Sequence, residues 1–181
     1  MEVLFTPWRY AYVEGHREDR EDREDREDRE STTGCFLCDA ATAPDDPERL
    51  VVHAAAHHVV LLNRHPYSNG HLMMAPREHV ALPQDASPAA QAEAWSLLLL
   101  CQRALGAAYR PDGMNVGLNL GRVAGAGVPD HYHVHLVPRW EGDTNFMTSI
   151  AHTRLVPEDL LQTRARLRPL FAQLAASEAA S

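Results

Sequence analysis

Between residues 50 and 76 the chain passes through three short apolar segments, each closed by Asn, Pro or Gly. That punctuation predicts strands over Leu50 to His53, His57 to Leu62 and His71 to Ala75, with a turn across Pro66 to Gly70. Ser87-Pro88 then opens a segment in which Leu97, Leu98, Cys101 and Leu105 recur at helical spacing. It predicts a long helix to about Ala108, with Ser at the cap and Pro in the first turn. The same stripe makes Cys101 a core residue. A further strand is predicted over Asn115 to Leu120, and a last, Arg-rich amphipathic helix from Pro157-Glu158 onward. Strands that pair locally, with helices between and after them, predict an α+β domain built on one antiparallel sheet.

The next pattern carries chemistry. His131-Tyr132-His133-Val134-His135-Leu136-Val137-Pro138 alternates imidazole with apolar side chains three times. Side chains on a strand alternate between faces, so the expectation is one strand presenting His131, His133 and His135 together. Imidazole titrates near neutrality, and three in register repel one another if more than one is charged, which disfavours a purely structural role. Two chemistries remain open: a metal site, or a neutral imidazole acting as an oriented nucleophile. A Gly-rich run, Gly125-Ala126-Gly127-Val128, precedes the cluster. It either links strands or turns consecutive backbone N–H groups toward an anion. Arg139, just beyond, offers a bidentate contact to polyphosphate, or pairs with an acid at the strand end.

Composition narrows the class. A chain of 181 residues with 45% hydrophobic content suits one domain with a real core. A formal charge of -8 argues against a general nucleic-acid binder. No apolar run is long enough to span a bilayer and the start lacks an export signal, so no membrane partner is expected and cytoplasm is the expected compartment. All 17 basic residues are Arg, which excludes a phosphate loop built on Lys. From Arg17 to Asp28 the triplet Arg-Glu-Asp repeats four times. With no apolar residue, it reads as a disordered or solvated insertion, an acidic docking tail being the alternative. The layout expected is an aromatic arm over 1–15, this insertion over 16–32, and one domain over 33–181. Cys35-x-x-Cys38 does not fit a secreted disulfide framework. It lacks the strand-to-helix setting of a redox pair, and fits half of a tetrahedral zinc site.

The signature His-φ-His-φ-His-φ-φ, with φ apolar, is complete over His131 to Val137. It follows Leu61-Leu62-Asn63-Arg64-His65-Pro66 and Gly70-His71-Leu72 in order. In these motifs the chain resembles the histidine triad (HIT) nucleotide hydrolases and transferases. Thr6-Pro7-Trp8-Arg9 and the segment Arg139 to Met147 resemble the bacterial branch that includes diadenosine tetraphosphate phosphorylases. The resemblance implies a HIT-like fold of about five antiparallel strands with one long and one C-terminal helix, assembled as a homodimer. It implies that His133 is the nucleophile, forming a His–AMP intermediate from an adenylylated nucleotide or dinucleoside polyphosphate, with His131 and His135 flanking it and His71 supporting their orientation. It implies that Asn63 meets the ribose, a turn-capping role being the alternative, and that Asn119 and Gly125 to Val128 lie at phosphate. It also implies structural zinc held by Cys35, Cys38, His79 and His131. Orthophosphate is the second acceptor if the reaction is phosphorolysis. An AMP-phosphoramidase, a non-catalytic nucleotide-binding protein and a metalloenzyme with its ion at the triad are the competing readings.

Overall fold

The computed structural model describes residues 34–143 and 158–179. The aromatic arm, the Arg-Glu-Asp repeat, Asn145-Phe146-Met147 and Pro157 lie outside the described residues. The chain divides into two compact units, Met1–Phe36 and Leu37–Ser181. Of the first, only Gly34, Cys35 and Phe36 are described.

Five strands form one antiparallel sheet: β1 (Val51–Ala54), β2 (His58–Leu62), β3 (Leu72–Pro76), β4 (Gly113–Leu118) and β5 (Val134–Arg139), in the spatial order β1-β2-β3-β5-β4. The last strand in sequence is inserted between β3 and β4, so the segment carrying the histidines runs near the centre while β4 forms an edge. Three helices accompany the sheet: α1 (Phe36–Thr42), α2 (Pro88–Tyr109) and α3 (Leu160–Ala179). The antiparallel α+β fold expected from the sequence is the one observed.

Register assigns each face. Val60, Leu62, Leu72, Met74 and Leu136 share the face that packs with Leu97, Leu98, Cys101 and Leu105 of α2 and with Leu167 and Phe171 of α3. Burying such side chains contributes roughly 1.5–3 kcal/mol each relative to exposure. The α2 stripe is the one predicted, and burial pushes the Cys101 thiol up to about 12, which leaves it unreactive. Ser87 caps α2 by accepting a hydrogen bond from the Ala90 N–H at 3.3 Å. Arg110 ends it in the left-handed conformation, φ 47°. A feature not visible in the sequence ties β2 to this helix: Glu93 accepts from the His57 N–H at 3.0 Å and pairs with the fully buried His58 through Nδ1 at 2.9 Å.

Three expectations need correction. First, the imidazoles do not share one regular strand. β5 begins at Val134, and His131 and His133 lie in the segment leading into it, because Tyr132 N–H bonds Val80 O at 2.9 Å, outside the sheet ladder. Second, β4 spans Gly113–Leu118 rather than Asn115 to Leu120, since its pairing with β5 runs from Gly113 opposite Arg139 to Leu118 opposite Val134, where β5 begins. Third, α3 starts after Asp159, whose carboxylate accepts from the Leu161 and Gln162 N–H groups at 2.8 and 3.2 Å. Among the described residues no helix is long and apolar enough to cross a membrane.

Candidate active site

Each triad imidazole has one nitrogen committed to a partner of known polarity, and this assigns its tautomer. His133 Nδ1 lies 3.0 Å from the carbonyl oxygen of His131, which can only accept. His133 therefore carries its proton on Nδ1 and presents a bare Nε2. Burial holds this imidazole below its ordinary range, so the neutral form dominates at neutral pH.

His135, on β5, is assigned through its neighbour. The Tyr67 N–H donates to His71 Nδ1 at 3.1 Å, which leaves the His71 proton on Nε2. His71 Nε2–H then donates to His135 Nδ1 at 3.0 Å, so His135 keeps its proton on Nε2. The His133 and His135 rings meet edge to face with centroids 4.9 Å apart. One thus offers a lone pair and the other an N–H. Burial, reinforced by the charge His133 could carry, pushes His135 down to about 4. Tyr67, more than half exposed, tilts over His71 at 4.8 Å and stacks toward His135 at 6.4 Å.

His131 has another role. Its Nε2–H donates to Pro76 O at 2.8 Å, leaving Nδ1 bare. Burial first, then the positions of His79 and His133, push it down to about 4 against the opposing bond to Pro76. Its Nδ1 lies 3.5 Å from Cys38 Sγ, and His79 Nδ1 lies 3.2 Å from the same sulfur. Cys35, Cys38, His79 and His131 each offer one ligand atom, all within 4.8 Å of one another. Two sulfurs and two imidazole nitrogens match the donor set and number of a closed structural zinc site. The His131 nitrogen that faces Cys38 is the unprotonated one, and its other nitrogen is oriented by a backbone carbonyl, as metal-ligating histidines usually are.

The remaining predicted residues divide. Asn119 Nδ2 donates to Gly125 O at 3.2 Å and so anchors the Gly-rich loop that leads to the triad. In that loop Gly125 takes φ 87°, which favours Gly, and Ala126 is buried, whereas Gly127 has open space around its Cα. Asn63 Oδ1 accepts from the His65 N–H at 2.8 Å, the turn-capping arrangement. Arg139 forks Asp143 through Nε and Nη2 at 2.5 and 2.8 Å and bonds Asn115 through Nη1 at 2.9 Å. It is paired with an acid at the strand end in this structure, and a polyphosphate contact would have to open the fork. Sequence reasoning missed the Tyr67 backbone, the Pro76 carbonyl and Asn115. The Pro66-Tyr67 turn before Gly70-His71 was the available signal for the first.

The class of protein is an antiparallel α+β domain carrying a histidine cluster, in which His133 and His135 hold complementary tautomers beside a Cys/His group. The chain belongs to the HIT domain family, whose profile matches residues 46–142. It is 40% identical over 128 residues to a protein of Mycobacterium tuberculosis described as AP-4-A phosphorylase. The match covers 71% of this chain and 66% of that protein, just under two thirds of the relative's length. Among solved structures it is similar to a zinc-bound histidine triad family protein from Mycobacterium smegmatis, with TM-score 0.64, 23% identity and coverage of 81% of this chain and 99% of the other. It is also similar to a hypothetical histidine triad nucleotide-binding protein from Sulfolobus tokodaii, with TM-score 0.62, 25% identity and coverage of 77% and 93%.

Proposed function

We propose that the chain is a nucleotide-processing enzyme that cleaves diadenosine tetraphosphate, or a related adenylylated nucleotide, through a covalent His133–AMP intermediate. The observation that carries this reading is the His133 Nδ1–H bond to its own triad's backbone, which leaves a neutral Nε2 lone pair. The similarity to the Mycobacterium tuberculosis phosphorylase supports the substrate class. Nε2 of His133 attacks the α-phosphorus. The bond to the bridging oxygen breaks, and the departing nucleoside triphosphate takes that electron pair. The imidazole becomes cationic, and the His131 carbonyl, already accepting from Nδ1–H, stabilises the charge. His131 has one nitrogen on Pro76 O and the other facing Cys38, so His135 supplies the N–H that hydrogen-bonds the leaving oxygen. An oxygen of orthophosphate or water then attacks the phosphorus, the P–N bond breaks, and His133 returns to its neutral form.

Zinc, held by Cys35, Cys38, His79 and His131, would fix His131 and through it the start of β5, a structural contribution outside the bond-breaking step. The assembly proposed is a homodimer. The edge strand β4 exposes Val116 and Leu118, and α2 exposes Trp95 (70%) and Leu99, apolar side chains that a second copy would cover.

The test is product analysis with rapid-quench mass spectrometry. Phosphorolysis gives ADP and ATP, hydrolysis gives AMP and ATP, and either gives an AMP adduct on the peptide containing His133. Products that ignore orthophosphate would refute the phosphorylase reading. Turnover confined to adenosine phosphoramidates would make the chain an AMP-phosphoramidase. Turnover with no adduct would refute the covalent step.

A further inference from the structure

The face of β4 that shares the triad's side of the sheet reads Gly113, Asn115, Gly117, with Asn119 just past the strand's end, while the opposite face reads Met114, Val116, Leu118. Gly117 pairs directly with His135 across the ladder. Glycine weakens a strand interior, so its presence at mid-strand asks for a reason. Backbone conformation is not the reason, because Gly117 is not among the glycines with positive φ. Packing is not the reason either, because among the described residues a Cβ added there would meet nothing within 4 Å. What the missing side chain leaves is open space beside His135.

That space is one-sided. On the β3 side, His135 is bounded by His71 at 3.0 Å, by its ladder partner Met73, which is buried, and by the Tyr67 ring. On the β4 side it meets bare backbone, flanked by Asn115 held to Arg139 and Asn119 held to Gly125. In an in-line displacement the leaving oxygen lies on the far side of phosphorus from His133, and His135 is the donor at that oxygen. Whatever is attached to the leaving oxygen therefore extends toward the strand opposite His135.

We propose that Gly117 is a specificity-determining residue that keeps this strip clear for the leaving nucleotide of a dinucleoside polyphosphate. The inference rests on the reading above and adds to it that the site is shaped for a bulky leaving group rather than a small amine.

Gly117→Val tests it, with Gly117→Ala as an intermediate step. Valine suits a strand, and thermal melting with size measurement verifies that the variant keeps its fold and assembly. The readout is the ratio of kcat/KM for diadenosine tetraphosphate to kcat/KM for adenosine 5′-phosphoramidate, whose leaving group is ammonia. The expected result is a fall in that ratio of at least tenfold in Gly117→Val, with Gly117→Ala between it and the native chain. Equal losses on both substrates would place the transferred adenylyl group over Gly117 and overturn the inference, as would no change on either. Calorimetric titration with a non-hydrolysable dinucleoside tetraphosphate and with AMP gives a reading independent of turnover: the dinucleotide-to-AMP affinity ratio should fall by the same order, and an unchanged ratio overturns the inference. A native chain active on neither substrate, with the binding ratio still lowered in Gly117→Val, would refute the enzymatic reading alone. A native chain that binds neither nucleotide would refute both.

Discussion

At the residue scale, the proposed reaction depends on which nitrogen of each imidazole carries no proton. His133→Asn removes the Nε2 lone pair while keeping a polar side chain of similar reach. Turnover is expected to fall at least ~10³-fold, the scale of losses when a nucleophile is deleted, while AMP binding measured by calorimetry changes only severalfold. Turnover within tenfold of native would remove His133 from the covalent role. His135 makes a pH prediction. Its folded value of about 4 lies below its ordinary 6.5, so between those values the unfolded chain binds more protons. Its contribution to stability is complete above about pH 6.5 and is lost as pH falls through about 4. Urea midpoints measured from pH 7 to 4 should therefore decline more steeply for the native chain than for His135→Asn, and parallel declines would contradict the assignment. The identity of these residues was legible from alternation alone, but their geometry was not. Periodicity puts three imidazoles on one strand face, whereas the carbonyls of Pro76 and Val80, distant in sequence, hold the first part of the segment off the ladder.

At the element scale, the parts that position the site were legible wherever a local signal sufficed. Ser87-Pro88 fixed the start of α2 and its leucine spacing fixed the buried face, because capping and amphipathicity are local. The start of α3 was not legible because Pro157-Glu158 resembles a first turn, while Asp159 supplies the cap that the N–H groups use. Asp159→Ala should cost about 1 kcal/mol in chemical denaturation, as lost N-caps typically do; a change below a few tenths would show the cap to be dispensable. The turn carrying His71 depends on Gly70, which takes φ +71°, and a Cβ there would come within 2.8 Å of Tyr109 Cε2. Gly70→Ala meets both a conformational and a steric penalty. It should destabilise by about 1–3 kcal/mol and, by shifting His71, lower turnover further than the loss of folded protein accounts for. A variant as active per folded molecule as the native chain would show that this turn does not set the position of His135.

At the scale of the whole molecule, the single antiparallel sheet followed from the spacing of short strands, but the insertion of β5 between β3 and β4 did not. That order is set by which strands bury a common face, a non-local condition that no window of sequence contains. It is also what brings His131 beside Pro76 and within reach of the Cys/His cluster. The Cys/His cluster draws on α1 and its leading residue, on the loop after β3 and on the entry to β5, so that Cys38 lies 41 and 93 residues from its two histidine neighbours. A bound ion would stabilise the chain by binding the folded state, which alone assembles the four donors, in preference to the unfolded one. Protein made in zinc-supplemented medium should therefore carry about one zinc per chain by mass spectrometry, the stoichiometry of a closed four-ligand site. Chelation should lower its melting midpoint by at least ~5 °C, since each kcal/mol is worth about 2–4 °C at this size. Cys38→Ser should lose the metal and melt near the chelated value, whereas His133→Asn should retain it, because His133 is not one of the cluster's four residues and its Nδ1 is held by a backbone carbonyl. Metal that survives Cys38→Ser but is lost in His133→Asn would place the ion at the triad itself, and the chemistry would then have to be rebuilt around a metal-bound nucleophile.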